Sequence, residues 1–290
     1  MAYLRVNQVD HYYQWIGTET PRPPESRKPV LVFLHGWAGS CHYWESTARA
    51  LAPHYDCLLY DMRGFGRSQI ASDQAAAVAT RGYELITFAE DLEQLLTALE
   101  LSTVSINAHS MGASVAVFFL NRYPQRVERA ILTCNGIFEY DQAAFEAFYR
   151  FGGLVVRFRP AWLGRLPLMP RFFMARFLHQ PIPAAEKVAF LEDFLQADYQ
   201  TALGTIFTSV SKAATEVMPV EFAKIPVPTL LVSGEFDQIT PADLGRRAAD
   251  LNPLITYALM EKTGHFPMLE DPSTYLTQVN HFLEIPSPDS

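Results

Sequence analysis

The chain has 290 residues, of which 49% are hydrophobic and 19% are charged. This apolar content excludes an intrinsically disordered protein, and the net charge of −8 argues against nucleic acid as a partner. The length fits either two domains or one α/β domain with an insertion.

The sequence lacks features typical of membrane, secreted or metal-binding proteins. Uninterrupted apolar stretches such as residues 115–120 are far shorter than the roughly 20 residues that span a bilayer. The first residues carry no apolar signal-peptide region. The chain has three cysteines, Cys41, Cys57 and Cys134, and this odd number at wide spacing gives neither a disulfide framework nor a zinc motif. The histidines show no paired metal spacing, and the glycine turns lack a phosphate-loop pattern. We therefore expect a soluble cytoplasmic protein without a metal or cofactor.

In the first half of the chain, short apolar runs alternate with amphipathic stretches, as in parallel strands joined by helices. Residues 3–6 and 11–16 are predicted to form an antiparallel pair of strands, and residues 20–28, with three prolines, a surface turn. The next predicted strands are 30–34, 57–60, 104–108 and 127–132, and the predicted helices are 41–51, 84–99 and 111–123. Residues 72–81 carry small side chains and are predicted to form a loop.

The alternation of strands and helices is interrupted at residues 136–220 and resumes after residue 227. Strands are predicted at 228–232 and 255–259, and helices at 241–251 and 272–283. Residues 136–220 are rich in aromatic residues and proline, and we interpret them as a helical cap over the carboxyl ends of the strands. The predicted fold class is therefore α/β, a mostly parallel, doubly wound, eight-stranded sheet. Its core comprises residues 1–135 and 221–290, with the cap at 136–220.

One serine lies in the turn between a predicted strand and a predicted helix. Residues 104–113 read Val-Ser-Ile-Asn-Ala-His-Ser-Met-Gly-Ala, with Ser110 at the turn. The backbone of such a turn holds the hydroxyl clear of the sheet, and the helix amino terminus offers unpaired N–H groups to an oxyanion. Ala108 and Gly112 supply the small residues that the turn requires. The segment resembles the nucleophile elbow of the α/β-hydrolase superfamily, G-x-S-x-G, with Ala108 in place of the first glycine.

A second motif, His35-Gly36-Trp37, directly follows the strand at 30–34. In the family, a His-Gly step here turns the next backbone N–H toward the nucleophile. The resemblance therefore implies an oxyanion hole made by the N–H groups of Trp37 and Met111. The candidates for substrate contact are His35, Gly36 and His109. We expect the ring of His109 to point away from the pocket if Ser110 points into it, because neighbouring side chains diverge at a tight turn.

Two later loops match the family's acid and base. Asp237 follows a predicted strand at the position of the triad acid, with Glu235 as the nearest alternative. The competing acid position after the sixth strand reads Thr-Cys-Asn at 133–135 and has no carboxylate. His265 follows the last strand in a Gly-His step and matches the base, whereas His281 lies in the closing helix. The implied triad is Ser110, Asp237 and His265, in the chain order of α/β hydrolases.

A serine hydroxyl is a poor nucleophile at neutral pH, and a histidine oriented by a carboxylate supplies the base it needs. A further turn at 61–68, Asp-Met-Arg-Gly-Phe-Gly-Arg-Ser, also resembles the family. We interpret Asp61 and Arg63 as residues that fix this loop.

Part of the predicted cap, residues 147–185, has an unusual composition. It contains six arginines and no aspartate, glutamate or lysine. Its aromatic residues are Phe148, Tyr149, Phe151, Phe158, Trp162, Phe172, Phe173 and Phe177. Either these aromatics pack on the core while the arginines extend into solvent, or the segment contacts anionic lipid or a long acyl or prenyl substrate.

The main functional hypothesis is a serine hydrolase that cleaves an apolar carboxylic ester, a carboxylesterase or lipase-like enzyme acting on a small apolar or lipid-like substrate. The alternatives are carbon–carbon bond hydrolysis, amino-terminal peptide release, cofactor-free haloperoxidase or perhydrolase chemistry, and a ligand-binding receptor on a hydrolase scaffold. Epoxide and haloalkane hydrolysis are disfavoured because those relatives have an aspartate where this chain has Ser110. The sequence leaves the oligomeric state open.

Overall fold

The computed structural model of the chain describes residues 2–19, 28–139 and 141–286. The predicted turn at 20–28 lies almost wholly outside these ranges. The side chains of Phe148 and Phe151 are also outside the description.

Within these residues, eight strands form one sheet. They are β1 (Ala2–Val6), β2 (Val9–Ile16), β3 (Val30–Leu34), β4 (Asp56–Tyr60), β5 (Val104–His109), β6 (Val127–Thr133), β7 (Thr229–Gly234) and β8 (Ile255–Met260). The spatial order is β1-β2-β4-β3-β5-β6-β7-β8. β2 pairs antiparallel with β1 and β4, and the other neighbours pair in parallel. The predicted mostly parallel eight-stranded sheet is confirmed.

Helices flank this sheet on both faces, and others lie in the insertion between β6 and β7. They are α1 (Glu45–Leu51), α2 (Ala75–Arg81), α3 (Leu85–Ala98), α4 (Met111–Arg122), α5 (Gln142–Arg157), α6 (Met169–Met174), α7 (Ala184–Gln196), α8 (Tyr199–Ser209), α9 (Lys212–Lys224), α10 (Ala242–Ala249), α11 (Pro267–Glu270) and α12 (Pro272–Phe282). Short 3-10 turns lie at Cys41–Trp44, Pro124–Arg126 and Ala161–Arg165. The prediction of a loop at 72–81 is wrong for residues 75–81, which form α2. A run of alanines favours helix there, and Gly82, at φ 76°, ends the helix.

Two hydrophobic cores lie on opposite faces of the sheet. Along β3, Val30, Val32 and Leu34 pack into one core, together with α3 and α4. Leu31 and Phe33 alternate with them and pack into the other core, with α1 and α12. Strands buried on both faces are continuously apolar, which is why the sequence VLVFL marks the centre of the sheet.

The carboxyl ends of the parallel strands meet at one edge of the sheet. Leu34 pairs with Ala108 in the register, and His109 pairs with Thr133. The loops after β3, β5, β7 and β8 therefore emerge side by side, and these are the loops that carry the predicted site residues.

Helices α5–α9 form the insertion between β6 and β7. α9 continues through the predicted boundary at residue 220, and its Phe222 is fully buried in the core that contains α4. Among the described residues, no helix combines the length and the apolar character that a bilayer crossing requires.

Candidate active site

Ser110 lies on a strained turn between β5 and α4. Its backbone has φ 53° and ψ −121°, a region that non-glycine residues rarely occupy. The N–H of Ser110 donates to the carbonyl of Thr133 at 2.9 Å, and Asn135 Nδ2 donates to the Ser110 carbonyl at 2.9 Å. At Gly112, a Cβ atom would lie 2.3 Å from the carbonyl oxygen of His35, so glycine is required where helix and strand meet. The turn is thus held from β6 and packed against the loop after β3.

The structure brings the three predicted triad side chains into one hydrogen-bonded series. His265 Nε2 lies 3.1 Å from Ser110 Oγ, and His265 Nδ1 lies 2.7 Å from Asp237 Oδ2. His265 and Asp237 are buried, whereas Ser110 is partly accessible. With Nδ1 donating to the carboxylate, Nε2 is free to accept the proton of the serine hydroxyl.

Asp237 is held as a carboxylate by its surroundings. Burial by itself raises its pKa, but the attraction of His265, the hydrogen bond from that ring and two backbone N–H groups outweigh it and lower the pKa below its usual value. Those N–H groups belong to Ile239 and Thr240, 2.7 and 3.0 Å from Asp237 Oδ1. The alternative acid, Glu235, is exposed and accepts from the N–H of Lys262 instead.

The loop after β3 passes directly beside Ser110. A Cβ atom on Gly36 would lie 3.2 Å from Ser110 Cβ, so the backbone of this loop and the serine are in close contact. The carbonyl of Gly36 accepts from His35 Nδ1 at 2.8 Å. Because a trans peptide is planar, fixing this carbonyl also fixes the opposite direction of the Trp37 N–H. Met111 is the first residue of α4, so its N–H has no partner within the helix.

His35 and His109 were named as candidates for substrate contact, and their imidazoles are not available for it. Both are buried, at 0% and 1% exposure. His35 Nδ1 donates to Gly36, and its Nε2 accepts from the N–H of Met62 at 2.9 Å. His109 Nε2 donates to the carbonyl of His265 at 2.8 Å. Both rings therefore lie in the protein interior and hydrogen-bond the backbone of the loops that form the site.

A hydrogen-bonded bridge connects the loop of Gly36 with the loop of His265. The N–H of Gly36 donates to the hydroxyl of Tyr43, and that hydroxyl lies 3.0 Å from His109 Nδ1. Burial and the nearby charge of His265 lower the pKa of His109 well below its usual value, so the ring is neutral. Neutral His109 accepts from Tyr43 at Nδ1 and donates to His265 at Nε2.

The cap is joined to the histidine loop by a second set of bonds. The N–H of His265 donates to the carbonyl of Phe177 at 2.7 Å. The carboxylate of Glu270 accepts N–H groups from Gly264 and Phe266 in the histidine loop, and from His179 and Gln180 in the cap. One acidic side chain therefore holds the cap against the loop that positions His265.

Aromatic side chains surround the reactive groups. The ring centroid of Phe177 lies 6.1 Å from that of His265, and the ring centroid of Trp37 lies 6.0 Å from that of Phe194 in α7. Phe190, also of α7, packs edge-on against Phe266 at 5.1 Å. The cap thus presents an apolar wall to the site.

The turn at 61–68 is structural, as interpreted from the sequence. Asp61 accepts from the N–H of Cys41 and from Arg67, and Arg63 pairs with the buried Asp91 at 3.1 Å. Cys41 itself is fully buried.

One group of potential metal ligands occurs in the part of the chain that the structure describes. The ligand atoms of His109, Cys134 and His265 lie within 4.8 Å of one another. The ring nitrogens of both histidines already have hydrogen-bond partners, in Tyr43, the His265 carbonyl, Asp237 and Ser110. The cluster therefore belongs to the hydrogen-bonded network around Ser110.

Sequence reasoning missed Tyr43 and Glu270. Tyr43 lies in a 3-10 turn whose sequence gives no signal of its contact with Gly36. Glu270 offered a weak signal, because a carboxylate five residues after His265 is placed to accept the N–H groups of that loop.

The chain is similar to known proteins in both sequence and structure. A family model described as alpha/beta hydrolase fold matches residues 29–272. The chain is 28% identical over 249 residues to a non-heme chloroperoxidase of Kitasatospora aureofaciens, covering 82% of this chain and 85% of that one. It is 27% identical over 270 residues to a proline iminopeptidase of Heyndrickxia coagulans, covering 88% and 90%. The structure of an esterase from Exiguobacterium antarcticum is similar, with a TM-score of 0.77 at 21% identity over 97% of this chain and 98% of that one.

Proposed function

Because the chain belongs to the alpha/beta hydrolase family, we propose that it is a serine hydrolase that cleaves an apolar carboxylic ester through an acyl-enzyme on Ser110. The observation that carries the proposal is the hydrogen-bonded series from Ser110 through His265 to Asp237, with contacts of 3.1 and 2.7 Å. These three groups have the relative positions and burial that nucleophile, base and orienting acid require.

In the first half of the reaction, Ser110 Oγ attacks the acyl carbon while His265 Nε2 takes its proton. The ionised Asp237 stabilises the resulting imidazolium and keeps Nδ1 protonated. The imidazolium then returns the proton to the leaving alcohol. In the second half, His265 takes a proton from water, which attacks the acyl-enzyme and releases the acid.

The negative charge that develops on the acyl oxygen is held by the N–H groups of Trp37 and Met111. Two features support this assignment: Met111 begins helix α4, and His35 fixes the peptide that contains the Trp37 N–H. Removal of one oxyanion donor typically costs about 3–4 kcal/mol of transition-state stabilisation.

The apolar wall supports an apolar acyl or alcohol group in the substrate. Phe177, Phe190 and Phe194 face the loops of His265 and Trp37 from the cap. A pocket with such walls favours hydrocarbon over a sugar or a charged peptide, because aromatic and aliphatic side chains cannot replace the hydrogen bonds that polar groups make with water.

The test is a comparison of initial rates on nitrophenyl esters of increasing acyl length. We expect wild-type turnover to be greatest at medium or long chains and Ser110→Ala to lower it by about 10⁵-fold or more, by analogy with triad removal in other serine hydrolases. Ser273→Ala, an exposed serine at the start of α12, is the matched control and should keep wild-type rates. Retained turnover in Ser110→Ala would refute the nucleophile, and absence of turnover on every ester would refute the ester substrate.

A second candidate is perhydrolysis by the same acyl-enzyme, supported by the likeness to a non-heme chloroperoxidase. Here hydrogen peroxide replaces water as the attacking group and the acyl-enzyme releases a peracid. The test adds peroxide to the ester assay and measures oxidation of bromide by the peracid. The peracid oxidises bromide to hypobromous acid and is itself reduced to the carboxylic acid. Bromide oxidation that is lost in Ser110→Ala supports this second activity, and equal bromide oxidation in wild type and Ser110→Ala excludes it.

A further inference from the structure

Large apolar side chains are concentrated on the outer surface of the cap. Within residues 154–172, the exposed ones are Leu154, Phe158, Trp162, Leu166, Leu168 and Phe172. Phe158 and Phe172 are 67% and 68% exposed, so these rings contribute little to the core. Elsewhere, the exposed apolar side chains are spread over several separate elements. Large exposed apolar side chains that are concentrated in one segment mark a candidate interaction site.

The arginines of the cap lie among these apolar side chains. On α5, Arg150, Leu154 and Arg157 are exposed at spacings of four and three, which places them on one face of the helix. The 3-10 turn exposes Trp162 and Arg165 three residues apart, and α6 exposes the adjacent Arg171 and Phe172. We call this set of apolar residues, with Arg150, Arg157, Arg165 and Arg171, the basic cap surface.

The charges of this surface have no protein partners among the described residues. No described carboxylate forms an ion pair with any of its four arginines, Arg150, Arg157, Arg165 and Arg171. Arg159 is different, because its guanidinium donates to the carbonyls of Phe194 and Ala197 and so holds the cap together. No acidic residue occurs between 147 and 185. The surface therefore fits a partner that is both apolar and negatively charged.

We propose that the basic cap surface docks on an anionic lipid bilayer. Aromatic and leucine side chains enter the boundary between head groups and acyl chains, and the interleaved arginines bind the lipid phosphates and carboxylates. A long arginine stem packs on apolar surface while its guanidinium reaches the charged layer, so both residue types contribute at the same depth.

Helix α6 connects the basic cap surface with the wall of the active site. Phe173, next to the exposed Phe172 in α6, has its ring centroid 6.0 Å from that of Phe177, whose carbonyl accepts from the N–H of His265. We therefore expect a bilayer bound at α6 to lie near the loop that holds the base. Docking itself requires no turnover, so it stands or falls separately from the proposed hydrolase activity.

The test is co-sedimentation of the 290-residue chain, as wild type and as Ser110→Ala, with vesicles of phosphatidylcholine containing 30% phosphatidylserine. The Ser110→Ala form prevents lipid turnover from changing the vesicles. We expect binding at 0.1 M NaCl, weaker binding at 0.5 M NaCl and little binding to pure phosphatidylcholine. Phe158→Ser with Phe172→Ser should lower binding by about 100-fold or more, and Arg165→Gln with Arg171→Gln by about 25-fold.

Matched controls separate this surface from general effects of charge and hydrophobicity. Val217→Ser with Val220→Ser changes two exposed apolar residues of α9, and Arg49→Gln with Arg122→Gln removes two exposed arginines outside the cap. Both pairs should bind like the wild type. Equal losses in the controls, or no binding to anionic vesicles at low salt, would overturn the proposal. A dimer in sedimentation velocity that the Phe158/Phe172 variant abolishes, without vesicle binding by the wild type, would assign the surface to a second copy and also overturn it.

Discussion

Asp193 of α7 carries a partly buried carboxyl group at the contact between the cap and the loop after β3. Its Oδ2 accepts from Ser40 Oγ at 2.6 Å. Its pKa is raised to about 7, chiefly by burial and also by the charges of Asp61 and Glu192, while the Ser40 hydrogen bond and Arg67 act in the opposite direction. The charge of Asp193 in turn contributes, after burial, to the raised pKa of Tyr43. No cation bonds to Asp193 directly in the described part of the chain, so the charged form is disfavoured.

This pKa makes the stability of the fold depend on pH in a defined direction. An acid whose pKa is higher in the folded than in the unfolded chain holds its proton more tightly when folded, so unfolding is promoted as the pH rises. The loss begins near the unfolded value of 3.8 and is complete above the folded value of about 7. At 1.36 kcal/mol for each tenfold change in proton affinity, ionisation of Asp193 costs about 4 kcal/mol of unfolding free energy by pH 8.

The perturbation that isolates this effect is Asp193→Asn, which keeps an acceptor for Ser40 and cannot ionise. Urea unfolding of wild type and variant is measured from pH 4 to pH 8. We expect similar stability at pH 4, and at pH 8 we expect the variant to be more stable than the wild type by about 4 kcal/mol. Glu192→Gln, an exposed neighbour on the same helix, should still lose stability between pH 4 and pH 8, because Asp193 keeps its burial and its ionisable carboxyl group. A constant difference between Asp193→Asn and the wild type across this range would refute the assigned pKa.

Two further predictions concern the reaction. Asp237→Asn should lower kcat by about 10⁴-fold, because an amide stabilises the wrong tautomer of His265, whereas Glu235→Gln should retain wild-type kinetics; the reverse ranking in steady-state assays would identify Glu235 as the acid. Tyr43→Phe should lower kcat about tenfold or more with a smaller change in KM, because the Gly36 N–H loses its buried acceptor while the ring packing remains. Unchanged kcat in this variant would show that the Tyr43 bridge does not position the oxyanion loop.

The sheet was predictable from the sequence because its physical signals are local. The run VLVFL at β3 is continuously apolar because this strand is buried on both faces. The apolar residues of α3 recur every three or four positions because the helix is buried on one face. The small residues around Ser110 were also readable, since Gly112 has no space for a side chain. Helix α2 was missed because its alanines lack amphipathic periodicity, and its helical propensity was the only signal.

The roles of His35 and His109 were not predictable, because they depend on contacts between distant parts of the chain. Their positions beside Gly36 and Ser110 suggested substrate contact, although the tight turn at Ser110 predicted that the ring of His109 points away from the pocket. Whether an imidazole faces the pocket or the interior depends on which partners the fold brings to its nitrogens. For His109 those partners are Tyr43 and the carbonyl of His265, 156 residues away.

The same bridge suggests why a neutral histidine lies behind Ser110. A continuous path runs from the Gly36 N–H through Tyr43 and His109 to the carbonyl of His265. A displacement of the oxyanion loop therefore changes the hydrogen bond that holds the base, so the two halves of the site are positioned together. Protonation of His109 would remove its acceptor atom and place a second cation beside the His265 imidazolium. The burial that lowers the pKa of His109 thus preserves both the geometry of the loops and the electrostatic balance of the proposed reaction.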